Sequence, residues 1–506
     1  TLFNANSFDC MTIRYSASWL NSAQTTIHSD TRTGEILNAS ILINANMISV
    51  QYADRIGATV AIDPRVRTTV FPQEIQGELI QAAIAQAVGT GLGLTMNWGA
   101  SCAYPVDSLR SASFTQKYGL ASSVMGGVII NDVATEEDVR NGVCLVNAKP
   151  GPYDELVIKY LYQPIYASSL QEEKETLDSW IREHTGDPYY AYIRNQSRFD
   201  SDPRNSRGSL GDDHLKSFDY MLPNVRKGFE NYYSWFAKED RDFLMRRRVH
   251  SALSERLSGR IYAILSYIGG IYLNDIREKD AIPSYSMVDR EKQKAALSKA
   301  LELAKNLDWV DDTAHLNEFE ISDKKADRLR LDIFNGIFGR LPYVEVCTER
   351  FPDAAYTASE YLDDIYGIVW EGVLKHRPLE NFERALQTAF LESIISTSTA
   401  TAPIGSFKAS KTGFAATGKP EINLAALRNG GKVDMKMYSL QNAEEVAGFS
   451  SIPPIYTNQT KIAAYYFDLL MRTKDMLKKA ISTAPEADRS HYDLLIYRIN
   501  KATEIE

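Results

Sequence analysis

Cysteine, histidine and long apolar runs are all scarce in this sequence. Its 506 residues hold four cysteines, Cys10, Cys102, Cys144 and Cys347. They are too dispersed for a Cys-x-x-Cys metal site and too few for a disulfide scaffold; Cys102 and Cys144 could pair, and spacing leaves that open. The seven histidines are His28, His184, His214, His250, His315, His376 and His491. No two stand at the His-x-x-x-His spacing that sets imidazoles on one helical face, so each reads as a surface or packing residue. The longest apolar run, Ile261 to Leu273, is interrupted by Gly269 and Gly270 and is too short to span a bilayer. Positive charge is also in deficit. There are 56 Lys and Arg against 65 Asp and Glu, a net charge of −9, which argues against nucleic acid as the main partner. Arg246, Arg247 and Arg248 form a short basic run inside a predicted helix and read as a solvated face. Phosphate-binding loops are missing too. Neither Gly89-Thr-Gly-Leu-Gly93 nor the 407–413 segment has the spacing or the strand–loop–helix setting of a nucleotide site.

What is present is an ordinary globular balance, 44% hydrophobic and 24% charged, in a chain long enough for two to four domains. The stretch that organises the reading runs from Pro72 to Leu94. Ile75, Leu79, Ile84, Val88 and Leu92 recur at four- and five-residue intervals, the pattern of an amphipathic helix. Pro72 and Glu74 suit its N-terminal turn. Gly89, Gly91 and Gly93 weaken its end, so the helix should stop there.

Several motifs follow one another in order around this helix: Asp63 to Thr68 (DPRVRT), Ala103 to Ser111 (AYPVDSLRS), Phe114 to Gly119 (FTQKYG) and Ser123 to Met125 (SVM). Together they resemble the metzincin-type zinc-dependent metalloproteases found in Bacteroidetes. In that family the helix carries His-Glu-x-x-His-x-x-Gly-x-x-His: three histidines bind zinc, the glutamate is the general base, and the glycine lets the chain turn. By this resemblance Gln86 stands at the first histidine, Ala87 at the glutamate, Thr90 at the second histidine and Met96 at the third. The motif glycine is kept as Gly93, and Met125 matches the Met-turn that floors the metal. The residues after it, GGVIIN, depart from the acidic-aromatic sequence of the family. An amide and a hydroxyl are poor zinc ligands, and a thioether prefers softer ions. Alanine cannot accept a proton. The expectation is therefore a degenerate site: zinc is the family's cofactor, and no metal or other cofactor is expected here.

The resemblance also implies a strand along the substrate cleft before the helix. Residues 35–44 are the candidate, with Ile36, Leu37, Ala39, Ile41 and Ile43 as a possible cleft edge. Such an edge can pair with an extended peptide without any metal, or it can be covered by a neighbour. Strands are further expected at 8–15 and 187–195, and a hairpin from 271–278 and 282–290. Helices are expected at 45–57, 153–166, 169–184, 212–236, 239–268 and 290–307, with more from 323 onward and a closing pair at 458–483 and 486–503. Asp212, Asp213 and His214 invite a metal reading, but acids before an apolar helix more often serve its positive end. Tyr232, Tyr233 and Trp235 read as core aromatics. The 397–455 stretch, rich in Ser, Thr, Gly and Lys, reads as a flexible excursion.

The resulting expectation is an α+β protein: a metzincin-like domain over 1–165, then a mainly α-helical domain over 166–506. The leading function is that of a pseudoenzyme, a catalytically inactive metalloprotease homologue. It would bind a peptide, protein or glycan, with no nucleic-acid partner and no transmembrane segment. Family resemblance implies export to the periplasm or cell surface. The chain begins at Thr1 without an apolar leader and reads as a mature or trimmed form. Two alternatives stay open: an active zinc metallopeptidase using other ligands, and a structural subunit that pairs with an active relative. Ligand identity and oligomeric state are not legible.

Overall fold

Runs rich in β-branched residues cluster near the N terminus, and that is where the main sheet forms. The computed structural model describes residues 10–397 and 459–503, apart from 21–22, 71, 194–200, 207, 275, 277–279, 281, 312–313 and 316–324. Strands β1 (Thr12–Ser16), β2 (Gln24–Ser29) and β3 (Ile36–Asn44) make a sheet of order β1-β3-β2. β1 runs parallel to β3 and β2 antiparallel to it. The strand expected at 8–15 is thus β1, shifted toward 16; the first nine residues lie outside the described ones. The connection from β2 turns at Asp30, whose carboxylate accepts from the Arg32 backbone N–H at 2.8 Å, and at Gly34, with φ +78°.

The expected cleft edge is corrected by this order. β3 is the central strand of the described sheet: Ser40, Ile41 and Leu42 pair on both sides, Ile36 and Ala39 pair with β2, and Ile43 pairs with β1, so the strand is not the free sheet edge expected there. The physical reason is hydrophobic: Ala39, Ile41 and Ile43 are buried, and a strand carrying the sheet's most apolar face is best placed in its middle.

Helix α1 (Ala45–Thr59) follows β3 directly, and α2 (Gln73–Gly91) follows a buried ionic knot in which Asp63 holds Arg55 at 2.7 Å and Arg65 at 2.9 Å. Short helices α3 (Ala112–Tyr118) and α4 (Glu136–Arg140) come next; Thr135 and Asp138 form a capping box at the second. Then come α5 (Pro152–Tyr162) and α6 (Leu170–Arg182), the latter capped by Ser169 as its sequence suggests. Of the strand expected at 187–195, the described residues 187–193 form none, and 194–195 lie outside the described residues. A single 3-10 turn, Pro188–Tyr190, leads into an extended strap over 191–193, whose backbone is taken up by Asn97 in place of a neighbouring strand. Asn97 Nδ2 donates to Ala191 O at 2.9 Å and its Oδ1 accepts from Ile193 N at 3.1 Å.

Long helices α7 (His214–Phe236) and α8 (Leu244–Leu265) pack together, followed by the expected hairpin, β4 (Ile271–Leu273) with β5 (Tyr285–Met287). The remainder is helical: α9 (Arg290–Lys305), α10 (Lys325–Gly339), α11 (Leu341–Arg350), α12 (Ala358–Val369), α13 (Glu371–Leu374) and α14 (Asn381–Thr397). The closing pair is α15 (Gln459–Ala480) and α16 (Glu486–Thr503). Residues 398–458, which hold nearly all of the expected excursion, lie outside the described residues. No described helix is long and apolar enough to cross a membrane.

One apolar core runs across residue 165. Tyr52 and Ile56 of α1, Val60 just past its end, and Ile75 and Leu79 of α2 join Phe218, Val249 and Leu253 of α7 and α8, and through them the helices beyond. α1 and α8 approach so closely that a Cβ on Gly57 would stand 2.5 Å from the Ala252 carbonyl oxygen. A buried ion pair adds a second tie. Asp132 receives Arg256 Nε at 2.5 Å and Arg260 Nε at 2.9 Å, both from α8. The basic run is corrected in part: Arg247 and Arg248 are solvated, but Arg246 is buried, paired with Asp240 at 3.2 Å and 4.5 Å from the Phe243 ring centroid. It lies on the same helical face as Val249 and His250, which face the core.

Candidate functional site

The site is built on the C-terminal half of α2 and the reversal that follows it. α2 ends because Gly93 adopts φ +89°, with Gly93 N donating to Thr90 O at 2.9 Å and Leu94 N to Gly89 O at 3.0 Å. This conformation suits glycine, and it sends the chain back along the helix. Met96 then meets Gln86: the Gln86 side-chain amide donates to Met96 Sδ at 3.1 Å. Thr90, one turn after Gln86, donates its hydroxyl to the Gln86 carbonyl oxygen at 3.2 Å. The fold therefore brings Gln86, Thr90 and Met96 to one place, with Gly93 at the turn between them.

Ala87 points elsewhere. It is buried and packs with Ile41, Ile43, Met47 and Ala83. Its carbonyl oxygen accepts the Thr25 hydroxyl of β2 at 3.2 Å.

Below the helix lies Met125, fully buried against Leu94 and Val124. A Cβ on Gly89 would come within 2.6 Å of the Met125 sulfur, so the glycine lets helix and methionine touch. The loop carrying Met125 is pinned from α5. Asp154, buried at the first turn of that helix, accepts Ser123 Oγ at 2.5 Å, Val124 N at 2.9 Å and Gly151 N at 2.9 Å. Burial raises the Asp154 carboxyl above its ordinary range, and the Ser123, Gly151 and Val124 donors offset only part of that.

Beside the reversal lies a surface of tyrosines that sequence reasoning did not single out. Tyr162 donates to Leu92 O at 2.8 Å, Tyr192 bonds the Thr95 hydroxyl at 3.1 Å, and Tyr153 stacks on Tyr192 with ring centroids 6.0 Å apart. Tyr166, nearby in sequence, is 97% exposed. The clustered tyrosines between 153 and 192 were the available signal. Which of them would line the reversal depends on the 191–193 strap, a long-range feature.

The other candidate residues do not assemble into a metal centre. Asp213 caps α7, accepting from Leu215 N at 2.9 Å and Lys216 N at 3.2 Å. Asp212 accepts from Val106 N at 3.1 Å. His214 is buried, bonded to Pro203 O at 2.9 Å, and burial lowers its pKa to about 4. Tyr232 is core, as expected. All four cysteines are free, so Cys102 and Cys144 do not pair. Among the described residues, no three His, Cys, Asp or Glu side chains converge on a point.

The zinc implied by the resemblance does not fit the residues at its position. Gln86 and Thr90 offer a neutral amide and a hydroxyl already engaged in local hydrogen bonds, and Met96 offers a thioether. None is an imidazole, thiolate or carboxylate. The apolar packing of Ala87 leaves no proton acceptor there.

Residues 68–377 match a family model described as Met-zincin. That span takes in α2, Gly93, Met125 and the helices through α13. No curated protein and no solved structure matches the chain.

Proposed function

This chain belongs to the Met-zincin family, and from that premise we propose that it is a metalloprotease homologue that binds and does not cut. One observation carries the reading: the Gln86 amide is closed onto the Met96 sulfur at 3.1 Å, while Ala87 is packed away under the sheet. The first is a hydrogen bond where the family would place two metal ligands. The second puts a methyl group, sealed from water, where the family would place a base.

The ligand is a peptide, protein or glycan met outside the cytoplasm, the location following from the family resemblance. The tyrosines beside Gly93 supply flat faces and hydroxyls suited to such ligands. The test pairs two measurements. Metal content is read by plasma mass spectrometry after equilibration with zinc and desalting, and hydrolysis of a mixed peptide library is followed with and without a chelator. The expected result is far less than one zinc per chain and no chelator-sensitive cleavage. One tightly held zinc per chain, or cleavage that a chelator abolishes, overturns the proposal.

A further inference from the structure

We propose that the hollow between α7, the C-terminal end of α9 and the start of α14 binds a small organic acid whose carboxylate is carried on a ring. The hollow has a volume of about 410 Å³ and is lined by Arg226, Lys305, Asn306, Asp308, Trp309 and Phe382. That size lies within the roughly 300–1,000 Å³ of small-molecule sites. None of these residues belongs to α2, its reversal or the Met125 loop.

The shape of the site is set by Trp309. Its indole N–H donates to Asn306 O at 2.6 Å, and its ring packs edge-on to Phe229 at 5.4 Å. Both contacts hold the ring still. Arg226 then rests over the indole, 4.9 Å from its centroid. The contact is a cation held over a ring face, and it consumes none of the guanidinium's N–H donors in an ion pair. Among the described residues Arg226 makes no ion pair, whereas Asp308, the acid at the rim, is already bound by Arg330. Lys305 is held only loosely, 3.6 Å from Glu371.

The balance left in the hollow is therefore positive, and a guanidinium is the group that takes a carboxylate by two N–H donors. Trp309 and Phe382 supply apolar walls for a ring. Acidic sugars and aromatic acids both meet this description.

Calorimetric titration of the full chain with glucuronate and with benzoate tests it, with glucose and acetate as controls lacking the charge or the ring. We expect saturable binding in the millimolar range for at least one ring carboxylate. Saturation by glucuronate alone assigns the sugar acid, by benzoate alone the aromatic acid, and by both the shared chemistry. R226Q, at an exposed position free of ion pairs among the described residues, should melt with the wild type and weaken binding about tenfold, the loss of one charge-assisted contact. Failure of both ring carboxylates to saturate overturns the proposal, as does unchanged affinity in folded R226Q or equal binding of acetate. Each of these outcomes is independent of whether α2 holds zinc.

Discussion

Removing the Asp132 carboxylate should destabilise the protein far more than any surface change, and by an amount that can be bounded in advance. Asp132 is fully buried and faces Arg256 and Arg260 of α8. The two arginines differ in their escape routes. Arg256 has 20% of its side chain exposed and also bonds Ile130 O at 3.1 Å, so it can turn partly toward water. Arg260 is 2% exposed and, besides Asp132, donates to Gly208 O at 2.6 Å. D132A strands that guanidinium in the core, which costs about 3–5 kcal/mol for a buried pair broken on one side. D132N keeps an acceptor and should cost less. R256Q leaves Asp132 with Arg260 and should cost least, about 1 kcal/mol. Urea unfolding followed by circular dichroism and tryptophan fluorescence gives these differences. A loss below about 1 kcal/mol in D132A, or a larger loss in R256Q than in D132A, refutes the reasoning.

The same carboxylate has a pH signature. Burial works to raise its pKa, but the Arg256 and Arg260 guanidinium groups outweigh burial and hold it below the ordinary carboxylate range. Its contribution is thus fully present above the unfolded value of about 3.9 and is lost as pH falls through the lower folded value. The stability gap between wild type and D132N should be constant near neutrality and shrink in acid.

Other outcomes follow from the same geometry. Q86H/T90H/M96H should bind zinc tightly, because those three positions already converge around the Gly93 turn; a folded triple variant with no zinc by mass spectrometry refutes that convergence. Adding A87E to it should lower the melting temperature, since the new carboxylate enters the packing of Ile41, Ile43 and Met47; an unchanged melt counts against it. G93A should cost about 1–2 kcal/mol in chemical denaturation, because φ is +89° and its Cβ would lie 3.2 Å from Ile36 Cδ1. His214 should make the wild type acid-sensitive. Burial lowers its pKa to about 4, so its share of stability is intact above the unfolded value of about 6.5 and is lost as pH falls from there toward 4. H214Q should flatten that part of the stability–pH profile.

Much of the site was legible because it is local. The apolar spacing of Ile75 and Leu79, the Pro72 start and the Gly93 stop are short-range properties, and α2 ends at Gly91, within two residues of that stop. The chemical identities of Gln86, Ala87, Thr90 and Met96 need no coordinates to be read as poor zinc ligands. The strand at 36–44 was also legible as a strand, since ILNASILIN is rich in β-branched residues. Its place in the sheet was not. A strand's neighbours are set by which surfaces are buried together, and Gln24–Ser29, which takes an outer place, carries too little alternation to announce itself. The 187–195 segment failed for a related reason: its tyrosines favour extended backbone, but Asn97, 94 residues from Ala191, supplies the partners a strand would have needed.

The sequence by itself determined the helix, its stop and the α+β class, because each depends on neighbours within a few residues. Only the tertiary structure decided that one core crosses residue 165, that Ala87 faces the sheet while Gln86 meets Met96, and that Arg226 lies over Trp309 with no ion pair among the described residues. Those facts depend on burial and charge shared between segments tens to hundreds of residues apart. Such segments come together only when apolar faces leave water at once, so no local pattern records which of them will meet.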